Sequence, residues 1–175
     1  MTYRRKLHGF SLLEVIIAVG IFAGAVVVIL GLLPLLTRQA SASADTMTAL
    51  RLPDVVRTEL QRVAMLGGFD TLASQARPMT SLPPATLNLV ASRDATRAHT
   101  LSFQAPPQAD QLAQGDQYFL IEAWTFNLAP LAFDSGGSVL ALHVRVSWPY
   151  YTPGSLTPTA LADREQVTYN LSINR

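Results

Sequence analysis

The chain has no cysteine, which excludes disulfides, thiolate chemistry and cysteine-held metals together. Histidine is nearly as scarce. His8, His99 and His143 are far apart and have no clustered carboxylates, so neither a metal site nor a cofactor is expected. No serine stands in a nucleophile elbow and no glycine-rich phosphate loop occurs, which leaves an enzymatic role without support. Charge is also thin, at 14% of residues with 13 basic against 12 acidic. Such a balance is no footprint for nucleic acid, which is not expected as a partner.

What the chain does have is one apolar run from Gly9 to Leu36, behind the basic leader Met1 to His8. Its only charge is Glu14, and the next is Arg38. The run exceeds the roughly 20 residues that span a bilayer and the ~7–15 apolar residues of a secretory signal. Arg4, Arg5 and Lys6 precede it, which orients the leader to the cytoplasm and sends the remainder across the membrane. Arg4-Arg5 lacks the surroundings of a twin-arginine signal. The small-residue stretch Ala40 to Ala44 is a competing signal-peptidase site, but it lies far from the basic region and behind Arg38. Glu14 has no use in a plain anchor, since an acid deep in a membrane helix costs roughly 2.5–3.5 kcal/mol. It asks for a cationic partner.

Gly9-Phe10-Ser11-Leu12-Leu13-Glu14 resembles the processing and methylation site of type IV pilins and of type II secretion pseudopilins. The resemblance covers residues 1 to 36 and implies a prepilin-peptidase cut between Gly9 and Phe10, with N-methylation of Phe10. It also implies that Glu14 faces the terminal amine of a neighbouring subunit in a filament. Phe10 and Glu14 are four apart and share a helix face, so a staggered neighbour's ammonium can reach the carboxylate. Two charges that are costly alone then satisfy each other, which sets subunit register more than it adds stability.

The partners implied are the prepilin peptidase, other pilin or pseudopilin subunits, an inner-membrane assembly platform and the lipid bilayer. The location implied is the bacterial inner membrane, crossed once, with the carboxyl-terminal domain periplasmic before incorporation into a filament. Gly20 and Gly24 are spaced for close helix packing in a membrane. Gly31 and Pro34 weaken the helix further on, at a place where many filament pilins resemble this chain and loosen on assembly. Without cysteine the chain cannot close the disulfide loop of many adhesive pilins, which points to a minor pilin or pseudopilin. Trp148-Pro149 resembles the end of a strand in the minor pseudopilin I and J subunits. The alternative is a membrane-anchored or exported binding domain with an ordinary signal anchor.

Cleavage removes Arg4, Arg5 and Lys6 and leaves ten basic against twelve acidic side chains, a balance of about −2. The expected layout is a leader at 1–9, a transmembrane and assembly helix at 10–36, and a helical stalk and domain helix at 37–66. A β-rich globular domain follows at 67–175. About 130 residues beyond Ala44 suffice for one small core. Thr37 to Ala49 is Ala/Ser/Thr-rich and reads as exposed stalk. A bend or break is expected near Pro53, which suits a first helical position. Behind it Val56, Leu60, Val63 and Ala64 mark an amphipathic helix that Gly67-Gly68 can end, with Arg57, Glu59, Gln61 and Arg62 on its wet face.

Residues 69–117 are broken by Pro78, Pro83-Pro84 and Pro106-Pro107, with short strand candidates at Leu87 to Val90 and Thr100 to Phe103. Tyr118 to Asn127 reads as a strand with Tyr118, Leu120, Glu122, Trp124 and Phe126 on one face. Val139 to Trp148 alternates, with Leu140, Leu142, Val144, Val146 and Trp148 set against His143, Arg145 and Ser147. Gln166 to Ile173 does the same with Val167, Tyr169, Leu171 and Ile173. Asp134-Ser135-Gly136-Gly137 signals a turn, for which a lone aspartate is better suited than for calcium. The fold class expected is α+β: a long amino-terminal helix on an antiparallel meander, one face covered by helix and the other wet.

Overall fold

The computed structural model describes residues 11–79, 85, 87–101 and 112–175. The leader, Gly9 and Phe10, and the proline pairs at 83–84 and 106–107 lie outside the described residues, as does Phe103. One helix, α1, runs Leu12–Gly67. The chain divides into two compact units, Met1–Ala44 and Asp45–Arg175.

In the first unit α1 is capped by Ser11, the residue before it, whose Oγ accepts from the Glu14 N–H at 3.2 Å. From residue 11 to 44 every position is exposed. Gly31 and Pro34 lie inside the helix. Pro34 denies the Leu30 carbonyl its donor, and one turn later the Thr37 hydroxyl bonds the Leu33 and Pro34 carbonyls at 3.1 and 3.0 Å. The loosening expected there concerns assembly; in the isolated chain the helix is continuous.

In the second unit α1 presents Asp45, Ala49, Leu52, Val56, Leu60 and Val63 as a buried stripe at the three-to-four spacing of one helix face. Two expectations change here. The break near Pro53 is absent, because buried Ala49, Leu52 and Val56 hold both flanks of the proline helical. The stalk is exposed on every side only as far as Ala44, because Asp45 and Ala49 already belong to the stripe while Thr46 and Met47 between them stay exposed. A short second helix, α2 (Phe69–Gln75), follows Gly68 at φ +88° and buries Phe69, Leu72 and Ala73. Gly67-Gly68 therefore ends α1, as expected, and lets the chain turn directly into another helix.

The sheet has five strands, β1 (Leu87–Ala91), β2 (Ala98–Thr100), β3 (Phe119–Thr125), β4 (Val139–Trp148) and β5 (Glu165–Asn174). All neighbours are antiparallel, in the order β2-β1-β3-β4-β5. The architecture is α+β, and β3 to β5 form the expected meander. Leu140, Leu142, Val144 and Val146 of β4 join Phe119 and Ile121 of β3 and the α1 stripe in one core. Between β3 and β4, the Gly137 N–H donates to the Asp134 carbonyl at 2.9 Å and the Gly136 N–H to Asp134 Oδ1 at 3.0 Å. A Cβ at Gly137 would stand 3.1 Å from that carbonyl oxygen, which accounts for the glycine. Asp134 acts as a turn acceptor.

The second face of the sheet is less wet than expected. Trp124 and Ser147 on it are fully buried. Arg145 lies 5.0 Å from the Trp124 ring centroid and bonds Glu122 Oε2 at 2.7 Å. Its guanidinium covers the indole and is at the same time satisfied by the cross-strand acid. The polar residues of this face thus roof one another.

Candidate functional site

Two regions gather chemistry. The first is the amino-terminal part of α1, where an 18-residue window reaches a mean hydropathy of 3.0 with none of it buried. By length and composition this helix is able to cross a membrane. Leu12, Ile21 and Phe22 are 80, 70 and 70% exposed, a degree of apolar exposure that water does not tolerate over a continuous stretch. Gly20, Gly24 and Gly31 have open space where a Cβ would stand. Those positions are free to receive a neighbouring helix.

Glu14 is exposed and sits in the first turn of α1. Ser11 and Glu14 have the spacing of a capping box, and the serine half of it is formed. Sequence reasoning did not identify this role for Ser11, although Ser-x-x-Glu is its ordinary signal. A carboxylate at this position also meets the positive end of the helix dipole. Glu14 therefore has a local use within its own chain. Its proposed companion Phe10, with Gly9, Arg4, Arg5 and Lys6, falls outside the described residues.

The second region lies where α1 meets the β1–β2 turn. Asp45 is nearly buried and receives three bonds: Arg93 Nε to Oδ1 at 2.8 Å, Arg93 Nη2 to Oδ2 at 2.9 Å, and the Tyr118 hydroxyl to Oδ2 at 2.7 Å. The guanidinium also stacks 5.0 Å from the Tyr118 ring centroid. A forked guanidinium matched to a carboxylate is the strong form of this interaction. Burial, followed by the hydrogen bond to Asp45, pushes the Tyr118 phenol up to about 12. The bond to Asp45 raises Arg93 further above its ordinary value. A visible clue existed for Asp45: it is in phase with Ala49, Leu52 and Val56, so an acid was due on the buried face. Its partners, 48 and 73 residues away, had no local signal.

Further along α1 an open groove of about 470 Å³ is lined by Val55, Glu59 and Arg62 of the helix and by Arg97 and His99 at β2, among others. Arg62 is engaged with Glu59 through Nη2 to Oε1 at 2.6 Å. His143 lies elsewhere, on the second sheet face, with Nδ1 2.9 Å from Asn170 Oδ1. Among the described residues no three His, Asp or Glu side chains converge as metal ligands would. Compared with known proteins, the chain matches no family model, no curated protein and no solved structure.

Proposed function

We propose that this chain is a non-enzymatic structural subunit, a minor pilin or pseudopilin, of a type IV pilus or type II secretion pseudopilus. The observation that carries the reading is the uncovered apolar stretch of α1, from residue 12 to 36, with a single carboxylate near its start. Among the described residues nothing buries this surface, so lipid and then neighbouring helices are its natural cover. In this reading a prepilin peptidase cuts after Gly9, Phe10 is N-methylated, and Glu14 receives the terminal ammonium of a neighbour. The positive-inside asymmetry of Arg4, Arg5 and Lys6 supports an inner-membrane stage with the sheet-bearing domain periplasmic. The inner-membrane assembly platform then draws the subunit into the filament.

Mass spectrometry of the mature amino terminus tests this directly. A chain beginning with N-methylphenylalanine at position 10 is expected, and Gly9 replaced by a bulky residue should leave a full-length, membrane-inserted precursor. A mature chain that retains Met1 or begins near Asp45 overturns the reading.

One observation favours a second reading, an ordinary signal anchor carrying a binding domain. The start of α1 is capped within the chain, and the Glu14 carboxylate lies in its first turn, at the positive end of the helix dipole, without any neighbour. In that case the amino terminus is unmethylated, and loss of the Glu14 charge has no effect on partner contacts.

A further inference from the structure

β5 pairs with β4 along its whole length, and among the described residues no strand lies on its other side. A bare edge offers a row of free N–H and C=O groups, which natural sheets commonly block with lysine, proline or a bulge. Between Gln166 and Asn174 there is no charged residue and no proline, and the register with β4 steps evenly without a bulge. The opposite edge of the sheet, β2, has only three residues and is short in the way that protects edges.

One hydrogen bond shows which backbone groups point outward. The Arg175 N–H donates to the Ser138 carbonyl at 2.8 Å, so residue 175 belongs to the bonded pairs of the ladder. Bonded and non-bonded pairs alternate, which commits the odd-numbered residues of β5 to β4. The backbone groups of Gln166, Thr168, Asn170, Ser172 and Asn174 therefore face away from the sheet. The side chains of these five residues are exposed as well.

The strand is also complementary to itself. Reversed about Asn170, it sets Glu165 opposite Arg175, Gln166 opposite Asn174 and Val167 opposite Ile173, with Thr168 opposite Ser172 and Tyr169 opposite Leu171. Apolar meets apolar on the core side, polar meets polar on the other, and an acid meets a base at each end. We propose that β5 is a homotypic docking edge, to which a second copy of this chain adds its own β5, antiparallel, about a two-fold axis through Asn170.

The five outward-facing residues then meet as bonded pairs, and the sheet continues across both copies. Arg175 already pairs with Asp70 and lies 5.0 Å from the Phe69 ring centroid. That ion pair is exposed, so sharing the guanidinium with Glu165 of the second copy costs little. The contact is isologous, whereas a growing filament is built from heterologous contacts. The paired form therefore belongs to subunits outside a filament, and the inference stands whether or not the filament reading does.

The test uses the full-length chain in detergent micelles, where the absence of native cysteine gives a clean background. Asn170→Cys should face itself across the axis at about 5.5 Å between Cα atoms, within disulfide reach. Gln166→Cys should face position 174, with its own counterpart eight residues along, roughly 27 Å away. Mild oxidation is expected to crosslink Asn170→Cys, to leave Gln166→Cys uncoupled, and to join Gln166→Cys chains to Asn174→Cys chains. Adding Thr168→Pro to Asn170→Cys removes an outward N–H without touching the β4 ladder. It should lower the yield to that of Gln166→Cys alone. Equal crosslinking at 166 and 170, loss of both the 170–170 and 166–174 links, or indifference to Thr168→Pro overturns the proposal.

Discussion

Asp45 and Arg93 meet as a two-point fork, Nε to Oδ1 at 2.8 Å and Nη2 to Oδ2 at 2.9 Å, joining α1 to the turn between β1 and β2. The two ends of the fork are unequal. The Asp45 side chain is 10% exposed and that of Arg93 is 56% exposed. Truncating Arg93 strands a nearly buried carboxylate with the Tyr118 hydroxyl as its one remaining donor among these bonds. Truncating Asp45 instead leaves a guanidinium that is more than half exposed and can be hydrated. Arg93→Ala is therefore expected to destabilise the fold by about 1–3 kcal/mol, and Asp45→Ala by less. Urea unfolding of both single variants and the double variant decides. Equal losses that add without coupling would show that the fork contributes nothing as a unit.

The same cluster has a signature in alkali. The phenol of Tyr118, ordinarily near 10, is held up to about 12 in the fold by burial and by its bond to Asp45. A folded value above the unfolded one gives stability that is whole below pH 10. That contribution falls away as the pH climbs from about 10 through 12, because the unfolded chain sheds the proton first. Tyr118→Phe should therefore have a shallower loss of stability between pH 10 and 12 than the parent, measured by thermal melts at stepped pH. Tyr150 and Tyr169 are also shifted upward, so the difference between the two proteins is the quantity to read. Parallel curves would remove Tyr118 from the account.

The boundary at Asp45 can be tested by truncation. Asp45–Arg175 is a compact unit and keeps the whole buried stripe of α1 together with the Arg93 clamp. As a fragment it should fold and show mixed helix and antiparallel sheet by circular dichroism. A fragment beginning at Pro53 loses Asp45, Ala49 and Leu52, the last two fully buried. Loss of a buried leucine side chain alone costs about 2–5 kcal/mol, so the shorter fragment should unfold at clearly lower urea. Equal stability of the two would place the boundary further along the chain.

Legibility in the sequence followed the range of the forces involved. Alternation at Val139 to Trp148 and at Gln166 to Ile173 is a local pattern with one buried face, and both strands stand where it put them. The stripe of Val56, Leu60 and Val63 was equally plain. Pro53 misled, because propensity argues for an interruption while burial on either side argues for continuity, and burial prevails. α2 is too short at seven residues to display a helical period. Trp124 was assigned to the right alternation, yet its complete burial depends on Arg145 folding over it from the neighbouring strand. The Asp45 clamp depends on pairings 48 and 73 residues apart, which no window along the chain contains. The amino-terminal motif is a different kind of signal. The chemistry proposed for it involves other molecules, and the fold of a single chain shows only that Glu14 and the apolar helix are exposed.

That accessibility leads to the sharpest test of Glu14. If the carboxylate serves assembly, its charge matters only when subunits meet. Glu14→Val makes the segment more apolar, so insertion and anchoring should persist or improve. The Ser11 cap also survives, because Ser11 Oγ bonds the backbone N–H of residue 14 and not its side chain. What disappears is the partner of a neighbour's terminal ammonium, which would then lie unmatched in a low-dielectric layer. Crosslinking of Glu14→Val to filament partners should fall at normal membrane abundance. Glu14→Gln, which keeps the shape but not the charge, should fall less far. Ser11→Ala separates the two uses of this helix start, since it removes the cap at a cost of about 0.5–2 kcal/mol and leaves the acid in place. A Ser11→Ala chain that assembles normally beside a Glu14→Val chain that does not assigns the carboxylate to assembly. The opposite pattern, or normal crosslinking by Glu14→Val, would return Glu14 to the capping box and leave the filament reading without its central contact.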